Sequence, residues 1–317
     1  MDWELLRRLG RKVYKCEDWR DYKRYYVFLT RCKLHEKAIS EHVEFFKTTE
    51  ARRLVMENCP WFIDQATRQV FYKDSSFGER AYYVRRHILW MEKLFTPPLL
   101  ERLYIKGERV PLWKDEFEGK PLILYLVFRD GQQKEGCLSL ELVWDSEDEV
   151  HTGWDYGTHI YQIMFTLGDG PKGAGADPNS LTIGVGALQG LSNGAEVIKN
   201  MTKAFFGYRP KNLILWCLRC LAETIGAQRI IAVSNEGYYA MNHWRMDRKL
   251  KVDLNAFWQE AEGKACADPR FYELPIPEHR KDMSELKPSK RAQHRRRFEK
   301  LDEIKAAISE NLHSYMN

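Results

Sequence analysis

The segment VHTGWDYGTHIYQ places two imidazoles, a carboxylate and a phenol within nine positions. A neutral imidazole beside a carboxylate can remove the proton of an amine or a hydroxyl group, which is general-base chemistry. His151 and His159 are therefore candidate bases. Glu141 is another, because it alternates with the leucines of CLSLELVW and so lies on the opposite face of that strand. The alternative, that each is an ordinary hydrogen-bonded strand residue, stays open.

Two glycines and a basic turn predict a place for a phosphate group. Gly184 and Gly186 lie on one face of the predicted strand LTIGVGALQG, so a ligand or another chain segment could approach the bare backbone closely. The helix that begins at GYRPKN offers N–H groups without intrahelical partners and a positive dipole end, and Arg209 and Lys211 add charge. The alternative, that the glycines permit tight packing and the cations are solvated, stays open. Neither GxGxxG nor GxxxxGK[ST] occurs, which disfavours a Rossmann or nucleotide-hydrolysing protein.

The sequence around these residues changes from helical to strand patterns and back. The first hundred residues carry apolar side chains at helical spacing, and Pro97 and Pro98 close this section. Next, PLILYLVFRD and EGCLSLELVW flank Asp130 and Gly131, a hairpin signal, and HTGWDYGTHIYQIMFTLGDG continues the meander. After LTIGVGALQG come AEVIKNMTKAFFG, a helix over 212–225, and RIIAVS, a short run typical of a strand buried on both faces. Strand, helices and strand predict a crossover between parallel strands.

The composition predicts a soluble globular protein. Of the 317 residues, 44% are hydrophobic and 30% are charged, and the net charge of +5 is modest for this length. The seven cysteines are scattered and lie mostly in apolar or helical patterns, which predicts reduced thiols and a cytoplasmic protein. No uncharged apolar run of about 18 residues occurs, which disfavours a membrane span and leaves peripheral attachment at the inner membrane open.

No metal site is predicted. Cys32, His35 and His42 are not spaced to put three ligands on one helical face. Cys217 and Cys220 lie within an apolar helix without the setting of a redox motif, so they are expected to be core thiols.

A cluster of cations marks the C-terminal part of the chain. On a helix these side chains form a broad collar, which could bind the anionic lipid of a membrane surface or the acidic surface of an acyl carrier protein. Nucleic acid ranks last, because no recognised binding motif accompanies the charge. The alternative is a solvated face with internal salt bridges to Glu299, Asp302 and Glu303. The cations are Lys287, Lys290, Arg291, Arg295, Arg296, Arg297 and Lys300.

The surroundings of the basic turn resemble the cofactor-binding core of the GNAT acyltransferase superfamily. The shared features are a strand that splays, a basic turn containing glycine, a helix, and a strand ending in VSNEG with tyrosines after it. The resemblance implies that the turn holds the pyrophosphate of coenzyme A, and that Tyr238 or Tyr239 protonates the leaving thiolate. The usual R/Q-x-x-G-x-G/A turn lacks its second glycine in this chain. The residues thereby assigned to the cofactor are Gly207, Tyr208, Arg209, Lys211 and Asn212.

A resemblance to the VirK/YbjX family of Gram-negative bacteria covers most of the chain. It is carried, in order, by LTIGVGALQG, MTKAFFGYRPKNLILWCLRCLAETIGAQRIIAVSN, FW and KPSKRAQHRRRFEKLDEI. Membership implies an association with virulence, envelope integrity and tolerance of cationic peptides, and it does not define a reaction.

These observations together predict an α/β protein of α+β type with a GNAT-like mixed sheet. We expect a helical N-terminal region over 1–105, the α/β domain over 106–275 and a basic helical tail over 276–317. The expected function is transfer of an acyl group from acyl-coenzyme A or acyl carrier protein to an amine or hydroxyl of an envelope component, with Gly184 and Gly186 along the pantetheine arm. The alternative is a non-enzymatic accessory protein whose basic tail binds the membrane surface or a protein partner. The oligomeric state is not predicted.

Overall fold

The computed structural model describes residues 1–128, 133–145, 157–242 and 252–317. His151, one of the three predicted bases, lies outside these ranges, and so does the hairpin signal at Asp130 and Gly131. The two strands on either side of that signal pair antiparallel, as predicted.

The helices and strands follow the predicted succession of patterns. The α-helices in the described ranges are α1 (Trp3–Val13), α2 (Trp19–Leu34), α3 (Glu36–Lys47), α4 (Glu50–Asn58), α5 (Trp61–Thr67), α6 (Phe77–Leu94), α7 (Pro97–Leu100), α8 (Ala195–Ala204), α9 (Pro210–Thr224), α10 (Leu254–Glu260) and α11 (Pro288–His313). The strands are β1 (Val110–Phe117), β2 (Lys120–Val127), β3 (Leu138–Trp144), β4 (Thr158–Gly168), β5 (Thr182–Gly190), β6 (Arg229–Val233), β7 (Lys264–Ala265) and β8 (Phe271–Leu274).

The eight strands in the described ranges form one mixed sheet in the order β1-β2-β3-β4-β5-β6-β8-β7. Neighbouring strands are antiparallel except β5 and β6, which are parallel and are joined through α8 and α9. The predicted crossover is therefore confirmed. The ladder between these strands runs from Thr182 opposite Arg229 to Val185 opposite Ala232, whereas β5 continues to Gly190. Beyond Val185 the two strands no longer pair with each other.

Local sequence explains where several helices begin and end. Ser76 and Glu79 form a capping box at the start of α6, each side chain bonding to the backbone of the other residue. Pro210 occupies the first turn of α9, and Gly226 follows its end with φ of +69°, a left-handed conformation that glycine adopts without strain. The prediction for this helix was right at both ends to within two residues.

One hydrophobic core joins the three predicted regions. It extends from Leu5 in α1, through the sheet, to Leu312 in α11. A small second cluster lies on the opposite face of β2 and β3 and consists of Ile123, Tyr125 and Val143. None of the helices in the described ranges combines the length and apolar character needed to cross a bilayer.

Candidate functional site

A row of polar side chains crosses one face of the sheet from β3 to the end of β6. Glu141 on β3 lies opposite Gln162 on β4, and Gln162 lies opposite Gln189 on β5. Side chains of directly opposed residues share a face, so this row stands on the face that carries the small second cluster. Gln162 Nε2 donates to Gln189 Oε1 over 3.1 Å, and Gln189 Nε2 donates to Glu135 Oε1 over 3.0 Å.

Glu135 is the centre of this row. Its side chain is only 4% exposed, and its Oε1 also accepts a hydrogen bond of 2.9 Å from the hydroxyl of Tyr238. Burial raises the pKa of the Glu135 carboxyl from 4.5 to about 7, although the hydrogen bond from Tyr238 favours the ionised form. A carboxyl that titrates near neutral pH can both accept and return a proton.

Three hydrogen bonds from two residues hold the backbone around Glu135. Gln65 Nε2 donates to the carbonyl oxygens of Gln133 and Gly136, over 2.7 and 3.1 Å. The Phe71 N–H donates to the Lys134 carbonyl oxygen over 2.9 Å. Such a framework holds the carboxyl in one position, which a catalytic group requires.

Tyr238 is positioned by the turn that follows β6. Ser234 Oγ accepts a hydrogen bond of 3.0 Å from the Gly237 N–H, and the Gly237 carbonyl oxygen accepts one of 2.8 Å from the Lys73 N–H. The ring of Tyr239 contacts that of Tyr238 at a centroid distance of 4.9 Å. Burial raises the pKa of both phenols, that of Tyr239 to about 12, so both are protonated near neutral pH.

Glu141 and His159, two of the predicted bases, form a pair. A register shift between Leu142 and Val143 places His159 opposite Val143, with its Nδ1 at 3.5 Å from Glu141 Oε2. Glu141 is fully buried, and the His159 side chain is 19% exposed. A carboxylate beside an imidazole can orient the ring, so His159 can act as a base with Glu141 behind it.

Protein atoms fill the space in front of the two strand glycines. A Cβ on Gly184 would lie 2.4 Å from the ring of Phe71, and a Cβ on Gly186 would lie 1.8 Å from the carbonyl oxygen of Glu135. Real Cβ contacts are never this short. Both glycines therefore permit the close packing that was the alternative interpretation, and their assignment to a pantetheine arm stays a prediction.

The basic turn over 207–212 connects α8 to the first turn of α9. Arg209 Nη1 lies 3.2 Å from Glu260 Oε1, and Lys211 Nζ lies 2.6 Å from Glu260 Oε2. The carbonyl oxygen of Arg209 accepts hydrogen bonds from the N–H groups of Asn212 and Leu213. The two cations thus share one carboxylate at the start of the helix, and Glu260 has a lowered pKa because of Lys211 and Arg209.

The other turn residues are enclosed. Tyr208 is 6% exposed, and its hydroxyl donates to Glu278, which also pairs with the buried Arg219 at 3.3 Å. Gly207 has φ of +81° and faces Arg297 and Gln293 of α11. A cleft of about 110 Å³ beside the turn is lined in part by Asn212, Arg219, Glu260 and Glu278. The buried Oδ1 of Asn212 has no hydrogen-bond partner among the described residues.

The structure therefore groups some of the predicted residues and separates others. Glu141, His159 and Tyr238 stand on one face, linked in register or by hydrogen bonds through two glutamines and Glu135. Sequence reasoning missed Glu135, which lies in the connection QQKEGC between two strands. Its only sequence signal is an acidic residue beside a glycine in a short connection, a pattern too common to point to function.

Residues 17–310 match a family model described as a protein of unknown function, DUF535. The chain is 38% identical to the uncharacterized protein YbjX of Escherichia coli (strain K12) over 212 residues, which are 65% of this chain and 59% of that protein. An uncharacterized protein of Haemophilus influenzae (strain ATCC 51907 / DSM 11121 / KW20 / Rd) is 25% identical over 239 residues, 74% of this chain and 70% of that protein.

A second uncharacterized protein of that Haemophilus influenzae strain is 29% identical over 155 residues, 48% of either chain. No solved structure matches the chain. The match to YbjX covers 59% of the length of that relative, which is less than two thirds. Because the family model spans most of the chain, the protein belongs to the DUF535 family, that of VirK and YbjX.

Proposed function

We propose that the protein transfers an acyl group from a thioester of coenzyme A or acyl carrier protein to an amine or hydroxyl group of an envelope component or its precursor. The observation that carries this proposal is the buried pair of Glu135 and Tyr238, a carboxyl with a pKa of about 7 that accepts a hydrogen bond from a phenol. Acyl transfer needs a base for the acceptor and an acid for the departing thiolate, and this pair offers both groups in contact.

In this reaction the acceptor nitrogen or oxygen attacks the thioester carbonyl, so that a C–N or C–O bond forms and the C–S bond breaks. The ionised carboxylate of Glu135 takes the proton of the acceptor. Tyr238 gives its proton to the thiolate and recovers one from Glu135 along their hydrogen bond of 2.9 Å. His159 with Glu141 is the alternative base at the other end of the row.

The parallel pair β5 and β6 supports the proposal, because it is the strand, helix and strand unit that the GNAT resemblance involves. These strands stop pairing after Val185 and Ala232, and Glu135 packs against β5 at Gly186, the next residue. Ligands of open sheets with parallel strands bind outside the carboxyl ends of those strands. Glu135 and Tyr238 lie at this end.

Arg209 and Lys211 remain the candidates for the pyrophosphate of the donor. A pyrophosphate there would compete with the carboxylate of Glu260, which both cations now contact. Two charge-assisted bonds to phosphate can replace those to one exposed carboxylate, because a phosphate group offers more acceptor oxygens and more charge. The buried Oδ1 of Asn212 needs a donor, which a phosphate cannot supply and a water or an amide can.

The test measures binding and turnover separately. The melting temperature should rise with coenzyme A, acetyl-coenzyme A or a long-chain acyl-coenzyme A, by an amount equivalent to roughly 2.7 kcal/mol at a hundredfold excess over the dissociation constant. Arg209→Ala should reduce that rise. Arg53→Ala should not, and it is a matched control because Arg53 is similarly exposed and also has one ion pair.

Release of free coenzyme A from the thioester, measured by chromatography with water or a small amine as acceptor, reports turnover. Glu135→Gln and Tyr238→Phe should each lower it by about 10²-fold or more while the ligand-induced rise in melting temperature persists. The absence of any rise with all three ligands would contradict the proposal. Unchanged turnover in both variants would show that Glu135 and Tyr238 take no part in the reaction.

A second candidate function is that of an accessory protein bound to an anionic membrane surface through the basic segment, Lys287–Lys300. One observation favours it: five exposed cations of this segment form no ion pair within the described part of the chain. They are Lys287, Lys290, Arg291, Arg295 and Arg296. Replacing all five by Gln should weaken the salt-sensitive part of the binding to anionic vesicles, since each cation contributes about 1 kcal/mol near an anionic surface. Salt-sensitive binding that stays as strong as in the wild type would exclude this segment.

A further inference from the structure

The outward face of α2 carries most of the large hydrophobic side chains that are exposed in the described part of the chain. Eight such side chains are exposed in the described ranges, and five of them belong to α2. Trp19 is 69% exposed, Tyr26 61% and Leu34 74%. A soluble surface seldom concentrates large apolar side chains in this way without a partner. The five are Trp19, Tyr22, Tyr26, Val27 and Leu34.

The opposite face of α2 fixes this orientation. Tyr25, Phe28 and Cys32 are buried, and they recur at helical spacing. A Cβ on Gly10 of α1 would lie 2.9 Å from the Phe28 ring, so α1 can approach only because this residue is glycine. The inner face is therefore committed to the core, and the exposed aromatic residues cannot turn inward without unfolding the helix.

Cations surround the aromatic side chains. The helix carries five cationic residues and one carboxylate, Asp21, which pairs with Arg24 at 3.4 Å. Within the described part of the chain the other four cations form no ion pair. They are Arg20, Lys23, Arg31 and Lys33. Their long side chains can reach phosphate groups while their aliphatic portions stay beside the rings.

We propose that the outward face of α2 binds the interface of an anionic lipid membrane, with Trp19, Tyr22 and Tyr26 inserted at headgroup depth. Tryptophan and tyrosine favour this depth because they combine an apolar ring with a polar group. Cations beside them complement the negative lipid surface. The face is a convex helix surface, which suits a fluid interface better than the pockets that anchor a protein partner.

This surface differs in physical character from the basic segment of α11. That segment would bind through cations alone, namely Lys287, Lys290, Arg291, Arg295 and Arg296. Binding of this kind would disappear when salt screens the charges. Aromatic insertion is much less sensitive to salt. The proposal for α2 does not depend on acyl transfer, so the failure of one would not affect the other.

The experiment is sedimentation of the full chain with phosphatidylcholine vesicles that contain or lack phosphatidylglycerol, at low and high salt. We expect binding to the anionic vesicles, part of which persists at high salt. The triple variant W19S/Y22S/Y26S should bind at least about tenfold more weakly. Leu54→Ser is the matched control, because Leu54 is 43% exposed on α4 and stands outside the proposed surface.

A second readout identifies the residue that enters the lipid. Brominated lipid should quench part of the tryptophan fluorescence, and Trp19→Phe should remove most of that quenching. The melting temperature of each variant shows whether it folds, which is expected because the replaced side chains are exposed. The proposal would be overturned if the folded wild-type chain bound neither kind of vesicle, or if the triple variant bound as tightly as the wild type. Binding of RNA or of an acidic protein without binding of vesicles would overturn it as well.

Discussion

Glu135 makes the stability of the protein depend on pH in an unusual direction. Its pKa is about 7 in the folded chain, against 4.5 ordinarily, so between these values the folded chain binds more protons at this site than the unfolded chain. The free energy of unfolding therefore falls as the pH rises from about 4.5 to about 7, by up to about 3 kcal/mol, and then stays level. Glu135→Gln should remove this contribution.

Urea unfolding of the wild type and Glu135→Gln at pH 5 and pH 8 measures the effect. The comparison must be between variants, because the buried His42 and His87 act in the opposite direction. Burial lowers their pKa values to about 4 and about 3, so the stability they contribute is present above pH 6.5 and is lost as the pH falls towards those values. If Glu135→Gln changes stability equally at both pH values, Glu135 does not titrate in this range.

The sequence indicates the chemical type of each site residue but not which of these residues lie close together. Glu141 was a candidate because the strand pattern showed which face of the strand it lies on. His159 was a candidate because it lies in a cluster of polar residues. Their contact depends on a register shift after Leu142, which no sequence pattern reveals. Burial raises the pKa of Glu135, and Tyr238, which donates a hydrogen bond to its carboxyl, lies about a hundred positions away in the sequence.

At the scale of the elements, β5 depends on close packing over its glycines. Gly186→Ala should destabilise the fold by about 2 kcal/mol or more, because its Cβ would meet the carbonyl oxygen of Glu135 at 1.8 Å and a backbone would have to shift. Gly168→Ala in β4 is the matched control, since no heavy atom lies within 4 Å of its Cβ. Its effect should stay within about 1 kcal/mol. Chemical denaturation measures the free energy of unfolding of both variants. Equal values would show that the segment around Glu135 can shift to accommodate the added methyl group at little cost.

The helix α11 supports the connection between α8 and α9 through Arg297. Arg297 donates from Nε and Nη2 to the carbonyl oxygen of Phe206, over 3.2 and 2.7 Å, just after the end of α8. Arg297→Ala should therefore lower the free energy of unfolding by about 1 to 3 kcal/mol. The neighbouring Arg296 is exposed and has no such bond, so Arg296→Ala should change it by no more than about 0.5 kcal/mol. Urea unfolding of the two variants distinguishes them, and a neutral Arg297→Ala would mean that water replaces the guanidinium.

The elements themselves were largely predictable, because proline, glycine and hydrophobic periodicity act locally. Pro210 and Gly226 limit α9 within two residues of the prediction. The role of the turn before α9 was less accessible to such reasoning. Its two cations share Glu260, a residue of α10, and its backbone faces α11. These partners follow it in sequence by about fifty residues or more, so local patterns carry no information about them.

At the scale of the whole molecule, the order and direction of the strands followed from connection lengths. A short connection predicted the antiparallel pair of β2 and β3, and the helical crossover predicted the parallel pair of β5 and β6. The way the three predicted regions share one core did not follow, because each region has its own apolar pattern. The C-terminal residues also contact the helical region: Met316 pairs with Phe95, and Asn317 donates to the carbonyl oxygens of Glu92, Lys93 and Phe95.

This shared core determines how the basic tail can be studied. Leu301, Ile304, Ile308 and Leu312 of α11 are each at most 2% exposed, and the Leu301 carbonyl oxygen accepts a hydrogen bond from Trp216 Nε1. Burying such a side chain stabilises a fold by about 1.5 to 3 kcal/mol. Removal of residues 276–317 would lose four of them, which approaches the whole stability of an ordinary domain, about 5 to 15 kcal/mol.

We therefore expect the chain shortened to residue 275 to be unfolded, as judged by circular dichroism and limited proteolysis. Replacement of Lys287, Lys290, Arg291, Arg295 and Arg296 by Gln should leave the melting temperature nearly unchanged, because these side chains are exposed and form no ion pair with a described residue. Lost membrane binding in the shortened chain would thus report unfolding, whereas lost binding in the neutralised chain would report charge. Cooperative unfolding of the shortened chain at the wild-type temperature would contradict this prediction and show that the core closes without α11.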